Sequence, residues 1–355
     1  MLKKQLFWLI TVLLIILVGC SEDKKNAEDS PESSYNGNGK TKNPPETTEE
    51  AKHIYPFTGE ETDGDVGQRM IGVMVNNHPE ARPQTGLSSA DIVFEILAEG
   101  RITRFLALFQ SDLPEVVGPV RSAREYYFNL ADGYGALYVY HGAADFVNDM
   151  IANQGIDHMN GSNYDNDGHL FKRESFRKAP HNSYLQMNAV KEVADGKGYE
   201  MTSDYEALPF LEEGEDVEGE PATAVDIVYS KRLHNQVSYK YDEDSGRYLR
   251  SSDGEPTVDL DTDEQVGVEN LFIVETYHEV IDDAGRRKVD MKSGGNAYLL
   301  MKGKVQHVEW KNEDGRIIPV KDGKPVPFAS GHTWINVIPT DPGIESSVTV
   351  SGGSE

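Results

Sequence analysis

The sequence predicts an α/β N-terminal domain with a mixed sheet, followed by a β-rich domain built as an antiparallel sandwich or barrel. Three observations favour this fold class. Apolar runs of strand length alternate with helical stretches over residues 55–202. An acidic segment containing glycine and proline follows at residues 203–222 and is predicted to be a linker between the two domains. Over residues 223–345 helical periodicity is lost, and short apolar runs are separated by Asp-Gly and Lys-Gly turns.

The N-terminus carries a targeting signal. Two lysines precede an apolar run from Leu6 to Val18, too short for the roughly 20 residues that span a bilayer but typical of a signal-peptide core. The run ends in Leu17-Val18-Gly19-Cys20, which resembles a bacterial lipobox, and Cys20 is the only cysteine of the chain. Residues 1–19 are therefore predicted to be a lipoprotein signal peptide, and Cys20 the attachment point of a lipid such as palmitate. An ordinary signal peptide, or a short anchor with a chance cysteine, is the alternative.

Residues 20–50 are predicted to be a lipidated cysteine followed by a disordered tether. They contain almost no apolar side chains, so they cannot bury enough surface to fold. Such a tether reaches on the order of 30 Å from the membrane. The folded part is therefore expected on the extracytoplasmic face of the cell membrane, held there by the N-terminal lipid.

The α/β domain is expected to begin with near-continuous apolar strands at residues 70–75, 92–97 and 102–109, with a further strand at 137–140. Residues 98–101 suit a hairpin turn, so the sheet should be mixed. Ser122 with Glu125, and Ser183 with Gln186, match the capping box that opens a helix. A third helix is predicted over residues 145–154.

The β-rich domain is predicted from short strands without helical periodicity. These are expected at residues 237–241, 271–274, 297–301, 305–310 and 334–338.

Composition excludes several classes of function. Sixty acidic against 34 basic residues give a net charge of −26, which repels nucleic acid and anionic headgroups. A single cysteine excludes a disulfide framework and cysteine-ligated metal sites. The P-loop, dinucleotide-binding, zincin and nucleophile-elbow motifs do not occur.

Polar side chains follow several predicted strands and precede the predicted helices. In open α/β sheets these positions gather at one edge, where ligands bind. The candidate ligand-binding residues are Asn76, Asn77, Arg82, Arg104, Arg121, Arg124, His141, His181 and Asn182. Arg121 and Arg124 carry most of the argument, because cations are unfavourable at a helix N-terminus unless an anion joins them.

Structural alternatives remain open at these positions. Glu125 and other acids could neutralise both arginines in a salt-bridge network. His141 and His181 could be hydrogen-bonded structural groups.

A candidate calcium loop lies in the same domain. Asn163, Asp165, Asp167 and Glu174 match ligand positions of an EF-hand loop, with Gly168 at the turn. The first position is Asn instead of Asp, and Pro180 leaves little room for an exiting helix. A polar turn is the alternative.

The chain resembles the YerB-type lipoproteins of Gram-positive bacteria over about residues 55–345. The resemblance rests on a set of short motifs: Tyr55-Pro56-x-Thr58-Gly59, Val75-Asn76-Asn77, Arg82-Pro83-Gln84-x-Gly86-Leu87-x-x-Ala90-Asp91-Ile92-Val93, Ile102-Thr103-Arg104, Gly118-Pro119-Val120-Arg121-Ser122-Ala123-Arg124, Ala179-Pro180-His181-Asn182 and Gly331-x-Thr333-Trp334-Ile335. It implies an extracytoplasmic lipoprotein of two domains, and it supplies no reaction or catalytic residues. The Asp-rich loop is not a hallmark of that family.

Three functional hypotheses follow. The first is an envelope lipoprotein that binds an anionic wall or lipid-linked group, or acts as a scaffold. The second is an enzyme, since the layout resembles LytR-CpsA-Psr phosphotransferases; Arg121 and Arg124 would stabilise phosphate charge, with Asp91 or Glu95 near a metal. The third is a protein–protein interaction module that binds an envelope partner through the β-rich domain.

Overall fold

The structure, a computed structural model, describes residues 52–229 and 236–352. The predicted signal peptide, the lipidation site Cys20 and the tether lie outside the described residues.

The first part of the chain alternates short strands and helices. Its strands are β1 (His53–Ile54), β2 (Glu61–Thr62), β3 (Ile71–Asn76), β4 (Ile92–Leu97), β5 (Thr103–Phe109), β6 (Val116–Val117), β7 (Leu137–Tyr140), β8 (His158–Asn160), β9 (Phe171–Arg173) and β10 (Ser183–Gln186). Its helices are α1 (Glu125–Gly133), α2 (Asp145–Asn153) and α3 (Val190–Lys197), with 3-10 turns at Pro79–Ala81, Leu87–Ser89, Glu99–Arg101 and Met187–Ala189. Among the described residues, no helix has the length and apolar character needed to cross a bilayer.

The remainder is almost entirely β-structure. Its strands are β11 (Glu220–Pro221), β12 (Ala224–Val228), β13 (Gln236–Asp242), β14 (Arg247–Ser252), β15 (Glu255–Pro256), β16 (Gly267–Val268), β17 (Asn270–Thr276), β18 (His278–Val280), β19 (Arg287–Val289), β20 (Gly295–Met301), β21 (Lys304–Glu313), β22 (Arg316–Lys321), β23 (Lys324–Pro325), β24 (Thr333–Pro339) and β25 (Val348–Ser351). A single turn of helix, α4 (Ile344–Ser347), precedes the last strand.

One mixed sheet joins both parts of the chain. Its strand order is β23-β22-β21-β20-β17-β24-β4-β5-β3-β7-β8, with β11 beside β21. Strand β24 pairs in parallel with β17 on one side and with β4 on the other. β4 pairs antiparallel with β5 through the predicted hairpin, and β3 and β7 are parallel. The predicted mixed sheet is confirmed, and the β-rich part contributes seven of its twelve strands.

A second, antiparallel sheet covers one face of the central sheet. Its order is β15-β14-β13-β12-β25, with β16 beside β14. Side chains of this sheet, such as Ile227 and Tyr239, share a core with Val73 and Leu271 of the central sheet. The other face packs against α1 and α2 through residues such as Tyr127. The predicted fold class, α/β followed by β-rich antiparallel structure, is confirmed.

A buried ion pair crosses from one part of the chain to the other. Arg250 Nη2 donates to Glu95 Oε2 at 2.8 Å, and both side chains are inaccessible to solvent. Glu95 also accepts hydrogen bonds from Trp334 Nε1 at 3.1 Å and from Thr103 Oγ1 at 2.8 Å. The Arg250 guanidinium lies over the rings of Trp334 and Phe105. The pair therefore links β4 and β5 to β14 and β24.

Both predicted capping boxes are wrong. Helix α1 begins at Glu125, its N-cap is Arg124, and no side chain caps it. Ser183 to Gln186 form strand β10, because this segment pairs with β6 on one side and β9 on the other. The helix expected there begins only at Val190, after a 3-10 turn.

Candidate functional site

Backbone hydrogen bonds bring distant segments together at one end of the central sheet. The segment Pro119–Arg121 crosses the end of β3, where Asn76 N donates to Pro119 O at 2.9 Å and Arg121 N to Met74 O at 2.8 Å. His141 N, directly after β7, donates to Arg121 O at 2.9 Å. The segments around residues 121, 141 and 183 therefore converge at the end of β3. The sequence predicts such convergence for the ends of strands in an α/β sheet.

Two arginines share one carboxylate at this place, and a third arginine, Arg121, lies beside them. Arg104 Nη2 donates to Glu99 Oε2 at 2.9 Å, and the Arg124 guanidinium pairs with the other oxygen of Glu99. Arg104 also donates to Ser122 O at 3.1 Å. We call Arg104, Arg121, Arg124 and Glu99 the arginine centre. Three guanidinium groups against one carboxylate leave an excess of two positive charges, which is unusual in an acidic protein.

Arg121 is the arginine left without a counter-charge. Among the described residues its guanidinium makes no hydrogen bond or ion pair, and its Nε is buried. Burial, followed by repulsion from Arg104 and Arg124, lowers the pKa of Arg121 to about 10, and Glu99 only partly opposes this. An orphaned, partly desolvated cation costs free energy unless a ligand satisfies its donors.

His181 lies beside Arg121 and is held in orientation by Asn76. Asn76 Nδ2 lies 2.8 Å from His181 Nδ1, and the His181 ring stacks on His78 with 4.6 Å between centroids. The other ring nitrogen, Nε2, lies 3.4 Å from the carboxylate of Glu80. Burial lowers the pKa of His181, and His78 and Arg121 lower it further, so the ring is neutral at pH 7.

His141 flanks the same arginine. Its Nδ1 lies 2.8 Å from the hydroxyl of Ser183, and its Nε2 lies 4.0 Å from Asp165. Burial lowers the pKa of His141, and the charges of Arg173 and Arg121 add to this effect. The arginine centre is thus bordered by two neutral imidazoles, each anchored through Nδ1 by a buried polar side chain.

His78, Glu80 and His181 have ligand atoms within 4.8 Å of one another, close enough to suggest a metal ion. The hydrogen bonds around them favour another role. Glu80 N donates to His78 Nδ1, and Asn76 Oδ1 accepts from His78 N at 3.0 Å, which directs Asn76 Nδ2 toward His181 Nδ1. With Nδ1 of each ring accepting an N–H bond, the ring proton lies on Nε2. A metal-bound Nε2 needs an acceptor facing Nδ1, so these rings are arranged as donors to an anion.

The predicted ligand-binding residues divide into separate groups. Asn76, Arg104, Arg121, Arg124, His141 and His181 come together. Arg82 instead pairs with Asp253 at 2.7 Å and donates to Asn77 Oδ1 at 3.1 Å. Asn77 is buried and donates to Thr103 Oγ1, while Asn182 accepts from Arg173.

The four predicted calcium ligands are not brought together. Asp165 pairs with Arg173, and Asp167 Oδ1 accepts backbone N–H bonds from His169 and Phe171. Glu174 pairs with Lys172 at 2.7 Å, and Asn163 is exposed. Strand β9 follows the loop where an EF-hand has its exiting helix, so the segment is a polar turn.

Asp91 and Glu95, the carboxylates considered for a metal under the enzyme hypothesis, are both buried. Asp91 accepts from the backbone N–H groups of Gln110 and Ser111, and Glu95 is the partner of Arg250. Burial raises the pKa of Asp91 to about 6. The structure places neither carboxylate at an open site beside the arginines.

Several residues of the site were not predicted from the sequence. Glu99 was assigned only to a hairpin turn, and His78, Glu80 and Ser183 were not singled out as site residues. The position of Glu99 could have indicated its role, because it lies in the turn that leads into β5, five residues before Arg104. No local pattern marks Ser183, because it acts through a histidine 42 residues away.

Comparison with known proteins identifies both parts of the chain. Residues 57–200 match the family model described as the N-terminal domain of a protein of unknown function (DUF3048), and residues 225–335 match the corresponding C-terminal domain. The chain is 45% identical over 300 residues to "Putative lipoprotein YerB" of Bacillus subtilis (strain 168), covering 83% of this chain and 88% of that protein. It is also similar to the crystal structure of the YerB protein from Bacillus subtilis, with a TM-score of 0.78 and 44% identity, over 84% of this chain and all of that one.

Proposed function

The chain belongs to the DUF3048 family of YerB-type lipoproteins, and from this premise we propose that it is a lipid-anchored protein of the cell envelope that binds an anionic ligand at the arginine centre. The observation that carries the proposal is Arg121, a partly buried guanidinium without a partner among the described residues. Two further arginines and two neutral imidazoles surround it, and one carboxylate opposes them. Hydrogen-bond donors in this density match a phosphate or carboxylate group.

The envelope setting rests on the N-terminal sequence and on the lipoprotein name of the Bacillus subtilis relative. In that setting the anions within reach of a short tether are wall polymers and lipid-linked groups. Within the part of the chain that the structure describes, no further residue beside the arginines favours a phosphotransferase activity. An envelope protein partner for the β-rich part stays a prediction.

Replacing Cys20 by serine is expected to release the protein from the membrane fraction, because the acidic surface offers no second attraction to anionic lipid. Membrane fractionation and metabolic labelling with a fatty-acid analogue measure this result. Ser21→Ala is the matched control and should stay anchored. Retention of Cys20→Ser in the membrane would indicate an uncleaved anchor instead of lipidation.

Replacing Arg121 by glutamine is expected to weaken pyrophosphate binding at least about tenfold, since hydrogen bonds to charged groups contribute about 1.5–3 kcal/mol. Isothermal titration calorimetry measures the affinity. The same variant should keep or raise the thermal midpoint, because it relieves repulsion from Arg104 and Arg124. A purely structural arginine would lose stability on removal.

Arg247→Gln provides the matched control for charge. Arg247 is half exposed and pairs with Glu269 on the β-rich part, so its removal changes net charge equally without touching the arginine centre. Equal affinities of wild type and Arg121→Gln for pyrophosphate would refute the proposed site.

A further inference from the structure

We propose that the arginine centre takes a doubly charged phosphate group, a phosphate monoester or a pyrophosphate end, and that this group displaces the carboxylate of Glu80 from His181. This inference rests on the proposed function above and specifies both the class of ligand and an internal competitor for it.

The charge balance selects a dianion. Arg104, Arg121 and Arg124 carry three positive charges against the single negative charge of Glu99. A carboxylate or a phosphodiester would compensate one of the two excess charges, whereas a phosphate monoester compensates both at neutral pH. The charge of the centre therefore matches a terminal phosphate better than a phosphate inside a polymer.

The hydrogen-bonding groups that face the proposed ligand are all donors. Arg121 presents only donors, and the rings of His78 and His181 carry their protons on Nε2 because each Nδ1 accepts an N–H bond. A phosphate dianion offers acceptor oxygens only, so it can satisfy donors from several directions at once.

The carboxylate of Glu80 lies beside one of these donors, His181 Nε2, but is held there only weakly. Its carboxylate lies 3.4 Å from His181 Nε2, longer than a normal hydrogen bond, and its side chain is 72% exposed. Within residues 52–229 and 236–352, no other cation or donor contacts that carboxylate. The Glu80 carboxylate is therefore a weak competitor for the ligand's position at His181 Nε2. It can rotate into solvent when a more strongly bound anion takes that position.

The test measures affinities by calorimetry on the full chain from residue 20, carrying Cys20→Ser for solubility, in the presence of EDTA. The titrants are orthophosphate, pyrophosphate, dimethyl phosphate and acetate. At slightly alkaline pH, orthophosphate and pyrophosphate carry two or more negative charges, and we expect both to bind. Dimethyl phosphate and acetate, which carry one charge, should bind at least about tenfold more weakly. Glu80→Gln should bind pyrophosphate about three- to tenfold more tightly than its parent, because the competing carboxylate is gone.

Glu192→Gln is the matched control for Glu80→Gln. Glu192 also lies 3.4 Å from a histidine, His169, and is 79% exposed, but it belongs to α3 and is not part of the arginine centre. Its removal changes net charge by the same amount and should leave the affinity unchanged.

Vesicles containing phosphatidic acid extend the test to a membrane source of the phosphate group, and binding of either source supports the proposal.

Different failures have different meanings. If Arg121→Gln abolishes binding but Glu80→Gln matches its parent, Glu80 displacement is wrong while the anion site stands. If acetate or dimethyl phosphate binds as tightly as orthophosphate, the dianion preference is wrong. If binding occurs only when EDTA is replaced by Zn²⁺, and Glu80→Gln loses it, then His78, Glu80 and His181 form a metal centre and the inference is overturned. If no anion binds, the proposed function itself fails.

Discussion

Replacing Arg250 by methionine is expected to lower the free energy of unfolding by about 3–5 kcal/mol, since Glu95 would be left buried without its cation. Glu95 and Arg250 are both inaccessible to solvent and 2.8 Å apart. The change also removes the hydrogen bonds of Arg250 to Ser252 and Thr257 and its packing on Trp334. Urea unfolding followed by tryptophan fluorescence measures the loss.

The neighbouring arginine on the same strand gives the control. Arg247 pairs with Glu269 at the surface, and Arg247→Gln should cost less than about 1 kcal/mol. The double variant Glu95→Gln/Arg250→Met should recover part of the loss, because the orphaned charge is removed together with its partner. A loss below about 1 kcal/mol for Arg250→Met alone would show that the ion pair does not hold the two parts together.

A fragment containing only residues 52–229 is expected not to fold. Strand β4 is buried along its whole length, and its open edge is normally covered by β24. Without the second part, the backbone groups of β4 on that edge lose their partners, and Glu95 loses Arg250. Near-ultraviolet circular dichroism and chemical denaturation of the fragment should show no cooperative transition, whereas residues 52–352 should unfold cooperatively.

Co-expression with residues 236–352 provides a positive control, because reconstitution would restore both the β4–β24 pairing and the ion pair. Cooperative unfolding of the first fragment alone would mean that the shared sheet is dispensable for its stability.

The strands could be predicted well from the sequence, because a buried strand needs an apolar run whichever strands lie beside it. The runs at 92–97 and 102–109 became β4 and β5, joined by the expected hairpin. Ser183 to Gln186 were misassigned because a capping pattern is short and local, whereas pairing with two neighbouring strands decided the outcome. The parallel pairing of β4 with β24 was not predicted, since no local pattern records which strand will be adjacent.

The convergence of several candidate residues was predicted, whereas the binding of a ligand there stays a prediction. The ends of strands did bring Arg121, His141 and His181 together, as the topology of an α/β sheet requires. Asn76 and Asn77 were expected in one group, but successive side chains of an extended segment point to opposite faces. Asn76 therefore reaches His181, while Asn77 reaches Thr103 on the other side. Glu99 was missed because its role depends on arginines from two other segments.

The place of β24 in the central sheet also sets the order of events during synthesis. Strands β4 and β24 are neighbours in space, yet more than 200 residues separate them along the chain. Many chains acquire stable structure from the N-terminus while translation proceeds. We therefore expect the early segments of this chain to stay unfolded until the last long strand, β24, has been synthesised.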